Sequence, residues 1–273
     1  MFKAGNFTFP LGVRTYIMGI LNYTPDSFSD GGVYNTPEKA LERALEMQKQ
    51  GADIIDLGAN STRPGGEVLS ADEELERLIP ALEALGGRLD IPVSVDTFYP
   101  LCAEYALDHG AVIINDVGGK FNKETAALVK NHGGGYIVTH NPCGASVPAA
   151  YPDGVVTAVR SFFLDCMAKA KEMDFYKENL CLDPGFGFSK TEADNLELLR
   201  NGEWLKFNGV ASLFGFSRKR FIANSIGSNE LSDLDLGTLS ANTAAIAGGA
   251  DILRVHNVES AVIGARAADR IYR

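Results

Sequence analysis

Eight apolar runs recur along the chain, and their spacing limits the folds open to it. They are Tyr16–Asn22, Asp53–Ala59, Pro92–Thr97, Val112–Val117, Tyr136–His140, Leu180–Asp183, Val210–Phe216 and Ile252–His256. Each is nearly continuous rather than alternating, as expected for parallel strands covered on both faces. Between them lie segments with helix start and stop signals. Thr36-Pro37-Glu38 opens a helix that runs to Gln50 and closes at Gly51, with Pro at its first position. Ser70-Ala71-Asp72-Glu73 reads as a capping box for a helix to Leu85. Further helices are expected at Tyr99–His109, Lys123–Asn131, Val155–Met173, Thr191–Asn201, Arg218–Ile226, Leu236–Ala247 and Ser260–Tyr272. Gly-Ala-Asp-Ile precedes two of the runs, at Gly51–Ile54 and Gly249–Ile252, as a helix end turning into a buried strand.

Strands and helices in this alternation over 273 residues predict an α/β fold, a (β/α)8 TIM barrel. A doubly wound open sheet shares the alternation, but no Gly-x-Gly-x-x-Gly turn follows the first run. No linker or low-complexity tract divides the chain, so residues 1–273 are read as a single domain. Residues 1–14 form an N-terminal hairpin-like extension, its strands within Phe2–Leu11.

Charge narrows the partners. With 25 basic and 35 acidic residues the net charge is −10, and no basic stripe is available for nucleic acid. No apolar run approaches the ~20 residues that span a bilayer. Met1–Pro10 lacks the basic start and apolar centre of a signal peptide, which points to the cytoplasm. The four cysteines are scattered without a C-x-x-C pair, so reduced thiols are expected rather than disulfides or zinc.

In such a barrel the chemistry sits at the C-terminal ends of the strands. Read in order, those ends carry Asn22, Asp56 with Ser61–Gly65, Asp96-Thr97, Asn115-Asp116, Thr139-His140-Asn141, Asp183–Gly187, Ser217–Arg220 and Arg254–Asn257. Burying this many charges without a use or a partner is costly. The set divides by sign. Arg63, Lys219, Arg254 and His256 are expected to face one another and suit an anion, with Thr62 adding a hydrogen bond. Asn22 offers a neutral oxygen of the kind that shares a Mg2+ with water and phosphate. Asp96, Asn115 and Asp183 match a flat heterocycle rich in N–H donors. The competing arrangement is a salt-bridge network joining Asp56, Asp96 and Asp183 to Arg254 and Lys219.

The stretch Met18–Gly32, an apolar strand that changes at Asn22 into a turn-rich loop around Phe28, closely resembles the first signature of the dihydropteroate synthases. Asp56–Gly65, Val95-Asp96-Thr97, Ile114-Asn115-Asp116, Leu182–Phe188, Ser217-Arg218-Lys219 and Arg254-Val255-His256 resemble the same family in the same order. The likeness runs from about Tyr16 to His256, and its first two motifs are the specific ones. It implies a (β/α)8 barrel, often a homodimer, that joins a pterin diphosphate to 4-aminobenzoate with loss of diphosphate. Carried over by position, Asp96, Asn115, Asp183 and Lys219 hold the pterin, while Asn22, Thr62, Arg254 and His256 hold Mg2+ and diphosphate. Thr62, Arg63, Pro64 and Phe28 belong to two loops closing over the 4-aminobenzoate. Asp96, Asp183, Lys219 and Arg63 form the implied catalytic set.

Four positions depart from the family pattern. Asn60 stands where Glu is usual, Phe98-Tyr99 replaces Ser-Lys, and Thr139-His140-Asn141 replaces a Met-His-Met-like run. Arg220 takes the place of a Ser near the 4-aminobenzoate carboxylate, and a cation there bears directly on the second substrate. Two alternatives share the motifs: a pterin-dependent methyltransferase of the related barrel type, and a non-catalytic pterin-binding protein. The latter's trace would be loss of Asn22, Arg63 or Arg254, and all three are present.

Overall fold

The computed structural model describes residues 1–23, 36–60, 68–144 and 147–273. Two short antiparallel strands open the chain, β1 (Phe2–Ala4) and β2 (Phe7–Phe9). The barrel follows as β3 (Tyr16–Asn22), α1 (Pro37–Gln50), β4 (Ile54–Gly58), α2 (Ala71–Leu85), β5 (Val93–Asp96), α3 (Pro100–Asp108), β6 (Ile113–Asp116), α4 (Lys123–Asn131) and β7 (Gly135–Thr139). It continues as α5 (Val155–Glu172), β8 (Leu180–Asp183), α6 (Glu192–Arg200), β9 (Ala211–Phe214), α7 (Arg220–Ile226), α8 (Leu231–Ala247), β10 (Ile252–Val255) and α9 (Val258–Tyr272). Strands β3 to β10 pair in sequence order, and β10 closes on β3, so the sheet is a closed parallel barrel, as the sequence predicts.

The caps follow the start signals. Thr36 accepts a hydrogen bond from the Lys39 N–H, and Ser70 with Glu73 forms the full capping box on α2. Thr191 with Asp194 forms a second box on α6. Each such cap contributes about 1 kcal/mol.

Side chains along a strand alternate between barrel interior and helix layer. Met18, Ile54, Ile113, Ile137, Cys181, Leu213 and Ile252 point inward, where they pack with Phe2 and Phe9 of the hairpin at the bottom of the barrel. The neighbours Ile17, Ile55, Val95, Ile114, Val138, Leu182 and Leu253 face outward and build the larger core under the helices. Two residues further along five of these strands, the inward positions become polar: Ile54 leads to Asp56, Ile113 to Asn115, Ile137 to Thr139, Cys181 to Asp183 and Ile252 to Arg254. The apolar layer is therefore the floor on which the polar mouth stands.

The same alternation separates Asn115 from Asp116, which the sequence presents as a pair. Asp116 faces outward, where the Tyr136 hydroxyl (2.6 Å) and the Gly118 N–H (2.8 Å) donate to it. Burial raises its carboxyl to about 6 despite those donors.

Two helix starts differ from expectation. The helix expected from Arg218 begins at Arg220, because Arg218 has a positive φ (57°) and Lys219 an extended backbone. The helix expected from Leu236 begins earlier, at Leu231, its first turn steadied by Ser228 donating to Asp233 at 2.7 Å. Among the described residues, no helix is long and apolar enough to cross a membrane.

Candidate active site at the barrel mouth

Asp56, Asp96, Asn115, Asp183, Lys219 and Arg254 share the C-terminal mouth. Neighbouring strands place Asp96 level with both Gly58 and Asn115, and Asp183 level with Thr139. Arg254 reaches in from β10. Its Nε donates to Asp56 Oδ2 at 2.5 Å and its Nη2 to Asp96 Oδ2 at 2.7 Å. Asn115 Nδ2 donates to the same Asp56 oxygen at 3.0 Å. The expected division into cationic and acidic sides is thus not what the mouth adopts. Arg254 lies among the acids, because separated charges at this depth would bear their full desolvation cost.

Depth also sets the protonation of these groups. Burial pushes Asp96 up to about 7, with Asp56 and Glu74 adding to the rise and Arg254 and Lys219 opposing it. Asp183 is raised as well, burial outweighing Lys219 and the Gly185 N–H, which donates to it at 2.7 Å. Lys219 is lowered to about 8, burial and Arg254 together overcoming Asp183. Its Nζ donates to the Phe186 carbonyl and lies 4.5 Å from the centre of the Phe188 ring. Several acceptors remain unsatisfied: Asp56 Oδ1, Asn115 Oδ1 and Thr139 Oγ1 are buried and have no hydrogen-bond partner among the described residues.

His256 stands beside β10, its backbone N–H donating to Ser217 Oγ (3.2 Å) and its Nδ1 3.0 Å from the same oxygen. Next to it the Arg218 guanidinium donates to Asp235 through Nε (2.6 Å) and Nη2 (3.0 Å), and its backbone N–H donates to Thr238. These bonds hold the left-handed residue before Lys219, a local strain of the sort concentrated at functional sites. Arg220 is exposed at the start of α7. Asn22 is half-buried at the end of β3, level with Gly58. Among the described residues no cluster of three His, Cys, Asp or Glu could cage a metal. A single amide oxygen fits a Mg2+ that keeps water and takes its other ligands from a phosphate, not a protein-built cage. Phe28, Thr62, Arg63 and Pro64 lie outside the described residues.

Three of the four departures have local explanations. Asn60 donates to the buried Glu74 at 2.8 Å, so the amide supplies a donor to a carboxylate that a Glu would repel. Tyr99 donates to the Leu69 carbonyl at 2.6 Å and stacks obliquely on Phe98. Asn141 donates to the Val117 carbonyl at 2.8 Å, tying neighbouring loops together. Sequence reasoning did not single out Lys190 or Asp235. Lys190 carried one usable signal, a lysine two residues after the apolar, glycine-rich turn Pro184–Phe188.

A closed parallel barrel with buried, mutually paired acids and cations at its C-terminal mouth has the layout of a barrel enzyme. The chain belongs to the pterin-binding enzyme family, whose model matches residues 18–256, and within it to the dihydropteroate synthases, which are transferases. The dihydropteroate synthase of Synechocystis sp. is 42% identical over 273 residues, which cover 98% of this chain and 94% of that protein. The structure of the Clostridium difficile dihydropteroate synthase in the presence of pteroic acid superposes with a TM-score of 0.88 at 40% identity, covering 100% of both chains. That of the Xanthomonas albilineans enzyme with 4-aminobenzoic acid has a TM-score of 0.87 at 38% identity, covering 94% of this chain and 93% of that one.

Proposed function

We propose that the chain condenses 6-hydroxymethyl-7,8-dihydropterin diphosphate with 4-aminobenzoate, giving 7,8-dihydropteroate and diphosphate in folate biosynthesis. The observation that carries this reading is the mouth itself. Its acids and unpaired acceptors, Asp96, Asp183 and Asn115 Oδ1, ask for N–H donors, which an aminopterin ring supplies. Arg254 lies within 2.7 Å of Asp96 and can serve an anion beside that ring.

Asp96, Asn115, Asp183 and Lys219 hold the pterin in this reading. Arg254 and His256 take the diphosphate and draw off its charge as the carbon–oxygen bond breaks. Asn22 would hold Mg2+, which would supply further neutralisation of charge on the leaving group. Positive charge then grows on the pterin methylene and spreads into the ring, where Asp96 and Asp183 stabilise it. The aromatic amine attacks that carbon, its weak nucleophilicity offset by positioning, and the N–H proton it loses as the carbon–nitrogen bond forms passes to the departed diphosphate or to water. Thr62, Arg63, Pro64 and Phe28 are assigned to closure over the 4-aminobenzoate, and Arg220 to its carboxylate. No side-chain nucleophile is required.

The test is diphosphate release on mixing the protein with both substrates and Mg2+. Release is expected only when all three are present, and none under that condition would end the reading. Asn22→Ala is expected to weaken Mg2+-dependent diphosphate binding roughly tenfold and to leave metal-free pterin binding unchanged, both read by calorimetry. Equal loss of both would remove Asn22 from the metal.

We place the reaction in the cytoplasm, in keeping with the free thiols of Cys102, Cys143, Cys166 and Cys181. The active species is taken to be a homodimer. Support comes from α8 and α9, packed so closely that Leu239 leaves no room for a Cβ at Gly264. Their outer faces expose Leu236 and Ile263, each over 60% accessible, as interfaces do. Light scattering is expected to give twice the chain mass, and Leu236→Glu with Ile263→Glu to return the monomer.

A further inference from the structure

Beside the mouth, between the segments that follow β7 and β8, lies a buried lysine that the reaction scheme leaves unused. Lys190 is 5% exposed. Its Nζ lies 2.9 Å from the Gly185 carbonyl, 3.0 Å from that of Phe188, 3.2 Å from that of His140 and 3.1 Å from His140 Nδ1. Burial lowers Lys190 to about 7 against the opposing pull of Asp183. In its charged form it has three N–H donors and no acceptor, and two neighbouring loops saturate them with no carboxylate among its hydrogen-bond partners. A lysine this deep is rare and costly. Burial and the adjacent Lys190 charge hold His140 down to about 3. Its imidazole is therefore neutral at ordinary pH, and Nδ1 can accept. The ring is itself fixed, edge-on to Phe162 of α5 with centroids 5.1 Å apart.

The carbonyls that Lys190 gathers belong to the turn Pro184–Phe188. The same turn supplies the Phe186 carbonyl and the Phe188 ring that receive Lys219. Two lysines thus grip one turn through different carbonyls, Lys190 through Gly185 and Phe188, Lys219 through Phe186. We propose that Lys190 is a positioning residue for the pterin site, fixing this turn so that Lys219 is held beside Asp183. Its hydrogen bonds go only to the turn and to His140, and its charge is felt at Asp183, so its influence on the ligand passes through Lys219 and Asp183 rather than through contact. This inference rests on the reading in which Lys219 binds the pterin.

A double-mutant cycle tests it, with binding of the pterin diphosphate measured by calorimetry. Lys190→Met is expected to weaken binding about tenfold in the wild-type background and less than about twofold in a Lys219→Ala background, the non-additivity of groups acting as a unit. Lys190→Gln, which keeps N–H donors but no charge, is expected to recover part of the loss, and it replaces the Met variant in the cycle should that protein not fold. A thermal shift without change in pterin affinity, or an equal loss in both backgrounds, would overturn the proposal and leave Lys190 a packing residue. Absence of pterin binding by the unmodified protein would instead overturn the functional reading beneath it.

Discussion

Asp96→Asn is expected to lower turnover by roughly 10²–10³-fold while leaving Mg2+-diphosphate affinity within about twofold. The asymmetry follows from where the charge is needed. Amide and carboxylate have nearly the same shape, and either can accept a hydrogen bond from a bound pterin. Only the carboxylate stabilises the positive charge that grows as diphosphate leaves. Asp96 also titrates near neutrality, at about 7, with Arg254, Asp56, Glu74 and Lys219 as the charged groups facing it. Below that pH it carries a proton and is neutral. The rate kcat/KM of the wild-type enzyme is therefore expected to fall as pH drops through about 7, since this parameter reports the free enzyme. The variant has no such proton, and its acidic limb should flatten. Equal turnover in the two proteins, or an unchanged limb, would remove the Asp96 charge from the chemistry.

The second large effect is on stability. Gly185→Ala is expected to cost about 3–5 kcal/mol, read as a fall in Tm on the order of 10 °C. Gly185 has a φ of 68°, and a Cβ built there would lie 2.0 Å from the His140 carbonyl oxygen. The left-handed conformation alone costs an alanine roughly 1–2 kcal/mol. The remainder comes from the clash, which meets backbone rather than a side chain that could rotate away. Both loops are held by Lys190, so separating them breaks its bonds at 2.9 and 3.2 Å together. Gly119 meets Asn141 in the same way, at 2.0 Å with a φ of 79°, and Gly119→Ala serves as the internal comparison. Full retention of Tm in Gly185→Ala would show that the turn can move, and with it the rigidity ascribed to Lys190 would go.

The fold was legible because its signals are local and repeated. Continuous apolar runs, Thr and Ser caps and glycine stops each depend on a few neighbouring residues, and together they recover the order of strands and helices. Boundaries failed where tertiary contacts overrode local preference. Nothing near Arg218 in the sequence announces a positive φ, because Asp235 and Thr238, which hold it, lie on α8. The site was legible as a set of residues at strand ends, since inward polar positions follow inward apolar ones by two. Its pairing was not. Which acid takes which cation depends on distances across the barrel, as between Arg254 on β10 and Asp56 on β4. Lys190 escaped notice for a related reason, its partners being backbone carbonyls, which carry no trace in the order of side chains.

The engagement of Arg254 with Asp56 and Asp96 bears on what this protein ignores. A free phosphate or nucleotide drifting into the mouth must pull the guanidinium from two carboxylates and gives them nothing in exchange. A neutral aminoheterocycle can satisfy the acids yet offers no anion to the arginine. In the proposed reading only a molecule bearing both features satisfies the arginine and the acids together, so the pairing of Arg254 with Asp56 and Asp96 would itself disfavour other phosphorylated compounds.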